Sequence, residues 1–265
     1  MNVKYSDTEI FEYWTDQAKA YGQSPSASWS DYHVIELEIQ EIIKWLTDGD
    51  AVLDVGCANG YSSMRFASAH KIRVRGVDYI PEMIEQARLR IASSDNQLQG
   101  KVEFALGDIT KLDEHSSTYD KLIVVRVLIN LGSWERQLKG LQECIRVLKS
   151  GGVLLLSEAT LQGWRRLNLL RNEWGLEDIS MPAFNQYLDE DQVVCAARQE
   201  MDLVEISNFA SGYYVGTRLV KPLLARVANS PIDVGNPLCE WNRWCSQLPA
   251  AGDYGTQKLF IFRKR

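Results

Sequence analysis

The twelve residues Ala51–Ser62 limit the fold more than any other stretch of this chain. Val52, Leu53 and Val55 supply an apolar strand, Gly56 and Gly60 bracket a tight turn, and Tyr61 opens a helix. Glycine carries no Cβ, so the backbone can bend sharply and a ligand can come close. The first N–H groups of the helix point back at the turn. In a parallel α/β sheet, a turn just past the carboxyl end of the first strand is where ligands bind. Asp54, Gly56, Ala58 and Gly60 stand at alternate positions, with Cys57 inside the turn. That spacing differs from the Gly-x-Gly-x-x-Gly of a dinucleotide loop. Taken alone, the run is equally compatible with a plain strand-to-helix turn.

The chain around it alternates between helical and extended patterns. Ile10, Phe11, Trp14 and Ala18 recur at helical spacing and predict a helix over residues 6–21. Asp31 is placed to cap a second helix reaching about Leu46, with Ile35, Ile39, Ile42, Ile43 and Leu46 on one face and Gly49 closing it. After the glycine turn, residues 72–78 read as a second strand ending in Asp78, and Pro81 opens the helix that follows. Residues 101–109 form a third strand ending in Gly107-Asp108-Ile109. Residues 119–126 form a fourth, whose run Leu122–Val125 suits burial on both faces. Trp134, Leu138, Leu141, Ile145 and Leu148 mark a helix stopped by Gly151-Gly152, and Val153–Leu156 make the fifth strand. Strands alternating with helices in this way predict a parallel, doubly wound α/β sheet. A helix from Asp189 to Glu200, a sixth strand over Leu203–Phe209, an insertion over residues 211–253 and a last strand over Leu259–Arg263 complete the reading.

Three motifs in this order resemble the class I S-adenosylmethionine (SAM)-dependent methyltransferases. The first is the acidic residue and spaced glycines of residues 54–60, with Ala58 in place of a middle glycine. The second is Val77-Asp-Tyr-Ile-Pro-Glu-Met-Ile-Glu-Gln-Ala-Arg88, and the third is Gly107-Asp108-Ile109. Leu148-Lys-Ser-Gly-Gly152 before the fifth strand is a further shared feature. The resemblance implies a Rossmann-like, seven-stranded, mostly parallel sheet whose last strand runs antiparallel beside the fifth and sixth. It divides the chain into an N-terminal helical cover (1–48), a SAM-binding core (49–210 and 256–265) and an insertion (211–255) before the last strand. It implies SAM as cofactor, with S-adenosylhomocysteine (SAH) as product. The residues it would place at the cofactor are Asp54, Gly56, Cys57, Ala58, Gly60, Asp78, Tyr79, Asp108, Ile109 and Arg126. Asp78 would take the ribose diol, a role for which a carboxylate's acceptor pairs are suited. Asp108 and Ile109 would meet the adenine. Arg126 departs from many relatives, which carry a small or amide residue there. A buried arginine needs an acidic partner or an anionic ligand.

The acceptor is less legible. Methyl transfer to a hydroxyl needs a base, and His33 beside Asp31 and Glu158 at the end of the fifth strand are the two candidates. His70 and His115 fall on the wrong edge or in a loop and are given no part in the chemistry. Tyr213, Tyr214, Trp241 and Tyr254 in the insertion are candidates for a wall that stacks on a sugar or planar acceptor, or else form the insertion's own core. The acceptor expected is a small or medium polar molecule, with a hydroxyl on a sugar, glycan or natural product preferred. The net charge of −6 disfavours nucleic acid as the main partner. The five cysteines are odd in number and irregularly spaced, which suits a reducing cytoplasm, and no Cys/His spacing suggests a metal. No run is long and apolar enough to span a membrane. A homodimer is left open. Two other readings stand beside this one: an NAD-dependent oxidoreductase, and a SAM-binding module without catalysis.

Overall fold

The computed structural model describes residues 5–93, 98–228 and 235–265. The chain begins with α1 (Asp7–Tyr21) and α2 (Tyr32–Ile43) and then alternates: β1 (Ala51–Val55), α3 (Tyr61–Ala69), β2 (Arg73–Asp78), α4 (Pro81–Ser93) and β3 (Lys101–Leu106). β4 (Tyr119–Val125), α5 (Trp134–Val147), β5 (Leu148–Ala159), α6 (Leu161–Glu173), α7 (Glu190–Ala197) and β6 (Met201–Ser207) follow. The insertion holds α8 (Ser211–Tyr214), a π-helical segment (Val215–Val220), α9 (Lys221–Val227) and α10 (Glu240–Cys245), and β7 (Gln257–Lys264) closes the sheet. Pro231 of the insertion lies outside the described residues.

The seven strands lie in the order β3-β2-β1-β4-β5-β7-β6. The first five pair in parallel, and β7 runs antiparallel to both β5 and β6. This is the sheet expected from the motifs, with its single reversed strand where the resemblance puts it. Successive residues of a strand face opposite sides, and in the inner strands both sides are buried. Leu53, Leu122, Leu154 and Phe260 pack under α5 and α7 through Leu141, Ile145 and Val193. Val52, Ile123, Leu155 and Ile261 pack under α2, α3 and α6 through Ile35, Ile39, Phe66 and Leu167. The near-continuous apolar runs of β4 and β5 follow from that double covering.

The two leading helices do different work. α2, capped by Asp31, lays Val34, Ile35, Ile39 and Ile42 on the sheet. α1 carries a capping box at Ser6 and Glu9 and buries only Ile10, Thr15 and Ala18. Its Ala18 and Trp14 rest on Ile80 and Met83 at the head of α4.

Three boundaries differ from the sequence reading. α2 stops at Ile43, with Lys44 as its C-cap, and Gly49 (φ 96°) serves instead the turn into β1. β5 starts at Leu148, which leaves α5 in extended conformation and pairs with Tyr119, so Gly151-Gly152 lies inside the strand. β6 starts at Met201, and its pairing with β7 ends at Ser207, while Phe209 turns into the core.

Candidate functional site

An open cleft lies at the carboxyl ends of β1, β2, β3 and β4, with a volume of about 1230 Å³ counted out to solvent. Its floor is the glycine turn. Gly56 and Gly60 both hold left-handed φ (75° and 73°), where a side chain would be strained. A Cβ on Gly56 would sit 2.1 Å from Val127 Cγ2, and one on Gly60 would sit 2.4 Å from Phe104 Cζ. Ala58 is left-handed as well (φ 46°), so the alanine that replaces a glycine here holds strained backbone.

Asp78 ties that turn to β2. Its Oδ2 accepts from the Ala58 N–H (2.9 Å) and its Oδ1 from the Ile80 N–H (3.0 Å). Burial pushes its carboxyl up to about 6, although these backbone bonds pull the other way. Asp54 accepts from Ser63 Oγ at 2.5 Å, and burial raises it to about 7, with Asp78 and Glu38 nearby adding to the rise. Asp108 is exposed on the far wall, where its Oδ1 accepts from the Thr110 N–H and hydroxyl. The cleft brings together Asp54, Gly56, Cys57, Ala58, Asp78, Tyr79, Asp108, Ile109 and Arg126, nine of the ten residues assigned to a cofactor from the motifs. Gly60 stands behind, where it lets the turn pack on Phe104.

Arg126 meets an acid. Its guanidinium pairs with the buried Glu38 of α2 and lies 5.0 Å from the Trp29 ring centroid. Glu38 also accepts from Ser157 Oγ and from Gln257 Nε2 (3.1 Å). The arginine therefore pins α2 to the ends of β4 and β5 while one side of it faces the cleft.

Both candidate bases fall elsewhere. Glu158 is fully buried; Oε1 accepts from the N–H groups of Val127 (2.8 Å) and Leu128 (2.7 Å), and Oε2 from Ile129 (3.4 Å). It holds the loop after β4 and does not line the cleft. Burial raises its carboxyl to about 8 against those three bonds. His33 packs its ring against Tyr32 and Tyr213, centroids 5.7 and 6.3 Å away, outside the cleft. Burial lowers its basicity.

The aromatic wall expected from the insertion is not at the cleft either. Tyr213 and Tyr214 are core residues on the α2 side of the sheet, and the Tyr213 hydroxyl donates to Asp31 (2.7 Å). Trp241 donates to the Gly216 carbonyl (3.0 Å), and Tyr254 packs half-buried against the same core. The aromatic residues that do line the cleft are Trp14, Tyr61 and Tyr79. α1 forms its roof through Asp7, Ile10 and Trp14, and Asp7 pairs with Arg136 of α5 across the mouth. The stripe of Ile10, Trp14 and Ala18 was the sequence signal for this roof; nothing local marked Arg136.

Residues 46–207 match a protein-family profile described as a methyltransferase domain. The 27-O-demethylrifamycin SV methyltransferase of Amycolatopsis mediterranei is 30% identical over 116 residues, 44% of this chain and 41% of that protein. A S-adenosyl-L-methionine-dependent Diels-Alderase of Talaromyces variabilis is 29% identical over 144 residues, 52% of this chain and 48% of its own. Each alignment thus spans less than half of the relative's length. Among solved structures, the magnesium protoporphyrin IX methyltransferase of Synechocystis, with bound SAH, has the same fold. Its TM-score is 0.62 at 16% identity, over 98% of this chain and 100% of that one. With the profile covering more than half of the sequence and the strand order matching the motifs, the chain belongs to the methyltransferase domain family.

Proposed function

We propose that this protein binds SAM in the cleft and transfers its methyl group to a hydroxyl of a small natural-product or sugar-like acceptor. The observation that carries the reading is the convergence of Asp78 and Asp108 on one cleft, at the ends of β2 and β3 and on the same side of a glycine turn that a Cβ would fill. In this reading Asp78 takes the ribose diol, and Asp108 with Ile109 takes the adenine. The turn at Gly56–Ala58 lies along the amino-acid part. Buried Asp54 and Asp78 make the floor electronegative, which suits a ligand bearing a sulfonium. When bound, the cofactor supplies a methyl group already activated by the positive sulfur. The chain's part is then alignment and exclusion of water. Positioning of two reactants contributes as much as roughly 7–11 kcal/mol in favourable cases. The roof of Ile10 and Trp14 supplies the apolar cover. The hydroxyl preference rests on the rifamycin relative. Five unpaired thiols support a reducing, cytoplasmic setting.

Calorimetry with SAM and SAH tests the cofactor; no heat from either at about millimolar concentration overturns the reading. Asp78→Ala should weaken SAM binding by roughly ten- to a hundred-fold, from the loss of charged hydrogen bonds to the ribose. A second reading has its own support in the Diels-Alderase relative: a SAM-binding cyclase that transfers no methyl group. Incubation with methyl-labelled SAM and a panel of hydroxylated acceptors separates the two. Label transfer supports the first reading, and tight SAM binding without transfer favours the second.

A further inference from the structure

Away from the cleft, the insertion holds a buried lysine that pairs with no carboxylate among the described residues. Lys221, at the start of α9, is 2% exposed. Its Nζ donates to the Asn236 carbonyl (3.0 Å), to Asn242 Oδ1 (3.0 Å) and to Cys239 Sγ (3.1 Å). All three ammonium donors are used, and among the described residues no carboxylate forms an ion pair with it. A buried ammonium without a counter-charge is costly. The one acceptor of the three that can carry a full negative charge is the cysteine sulfur.

Cys239 is suited to carry it. Burial pushes its thiol up, but the Asn242 amide, the Lys221 ammonium and the Trp241 amide together hold it below the ordinary cysteine range. It is half-exposed, so a small oxidant reaches it, whereas Cys57, Cys144 and Cys245 are buried. The pair is also rigidly held. Asn242 is 2% exposed and donates to the Tyr213 hydroxyl (2.8 Å), which in turn donates to Asp31. A cysteine sulfur held at hydrogen-bond distance from a lysine ammonium is a reactive arrangement.

We propose that Cys239 and Lys221 form a peroxide-sensitive modification site that closes into a covalent sulfur–nitrogen bridge. In the first step the thiolate attacks one oxygen of hydrogen peroxide, the O–O bond breaks, and the cysteine becomes a sulfenic acid while hydroxide leaves and is protonated to water. In the second step the Lys221 amine, having given its extra proton to the hydroxide released in the first, attacks that sulfur. The S–N bond forms, the S–O bond breaks, and the departing hydroxide takes up the amine's second proton as water. The sum is one thiol, one amine and one peroxide giving one sulfenamide and two waters. The sulfur is oxidised by two electrons, which the peroxide accepts, and a thiol reductant reverses the change. This inference does not depend on the identity of the methyl acceptor or on SAM binding.

The test is a peptide map of the full chain, reduced, freed of reductant, exposed to hydrogen peroxide and digested without reductant. The expected product is a linked pair of peptides carrying Lys221 and Cys239, lighter by about 2 Da than their sum and released by dithiothreitol. It should form at least about ten-fold faster than oxidation of the exposed Cys195. Lys221→Arg keeps a cation but offers no primary amine, so it should oxidise at Cys239, be trapped there by dimedone, and form no bridge. Where that variant fails to fold, the wild-type map decides alone. Oxidation of Cys195 at an equal rate overturns the proposal. So does irreversible sulfinic acid at Cys239 without a bridge, or linkage of Cys239 to another cysteine instead of to Lys221.

Discussion

Asp54 shows how one carboxyl can set opposing demands on the fold and on the ligand. Burial raises it to about 7, well above its ordinary range near 4. An acid raised in this way favours the fold while it is protonated. Its contribution is fully present below about pH 4, is lost as pH rises through about 7, and changes no further above that. Asp78, raised to about 6, acts in the same direction. The ligand-free protein should therefore lose stability between about pH 4 and 7, and Asp54→Asn should flatten the decline, by an amount of order 1–3 kcal/mol, in thermal melts across that range. A sulfonium ligand reverses the slope, because it is drawn to the ionised carboxylates. SAM affinity should rise over the same interval, and the affinity of SAH, without the sulfur charge, should rise less. An unchanged melt profile in Asp54→Asn would remove Asp54 from this role. The two aspartates were legible at this scale because each sits at a strand end fixed by its neighbours in sequence. The partner of Arg126 was not, because Glu38 lies 88 residues earlier on α2.

At the scale of elements, the loop after β4 depends on Glu158 of β5. Three consecutive N–H groups converge on its carboxylate. A base acting on substrate would leave the melting temperature alone when replaced by Gln and abolish turnover. The observed bonding predicts the reverse emphasis. Glu158→Ala should destabilise by about 3–5 kcal/mol, since it strands buried donors, and Glu158→Gln by less, in denaturant unfolding. The strand position of Glu158 was readable from the sequence, yet position alone does not say what a side chain is bonded to. The same limit explains Tyr213 and Tyr214. Aromatic content marks residues that bury large surfaces, and only the packing of α8 on the α2 side of the sheet decides that they belong to the core. The parallel strands and helices α1–α5 and α7, by contrast, were legible, because each is encoded in residues adjacent in sequence and separated by turn residues, whereas α6 and the helices of the insertion were not placed.

Across the whole molecule, stability is unevenly spread around the cleft. α2 is anchored by residues 0–1% exposed, such as Val34, Ile35, Ile39 and Ile42. α1, the roof, rests on few apolar contacts, and its ion pair to Arg136 joins two exposed side chains, an arrangement worth about 0–1 kcal/mol. Amide exchange should be faster throughout α1 than in α2, and SAM should slow α1 selectively. Equal protection of the two helices without ligand would count against a roof that opens by itself. The insertion of β7 between β5 and β6 has a consequence for synthesis. As the chain leaves the ribosome from its amino end, β6 emerges while the place beside β5 is still vacant. It has no hydrogen-bonded neighbour until residues 257–264 have been made. During that interval Leu203 and Val204 ride on an unjoined segment, so the newborn polypeptide carries a sticky edge that a ribosome-bound chaperone is suited to shield.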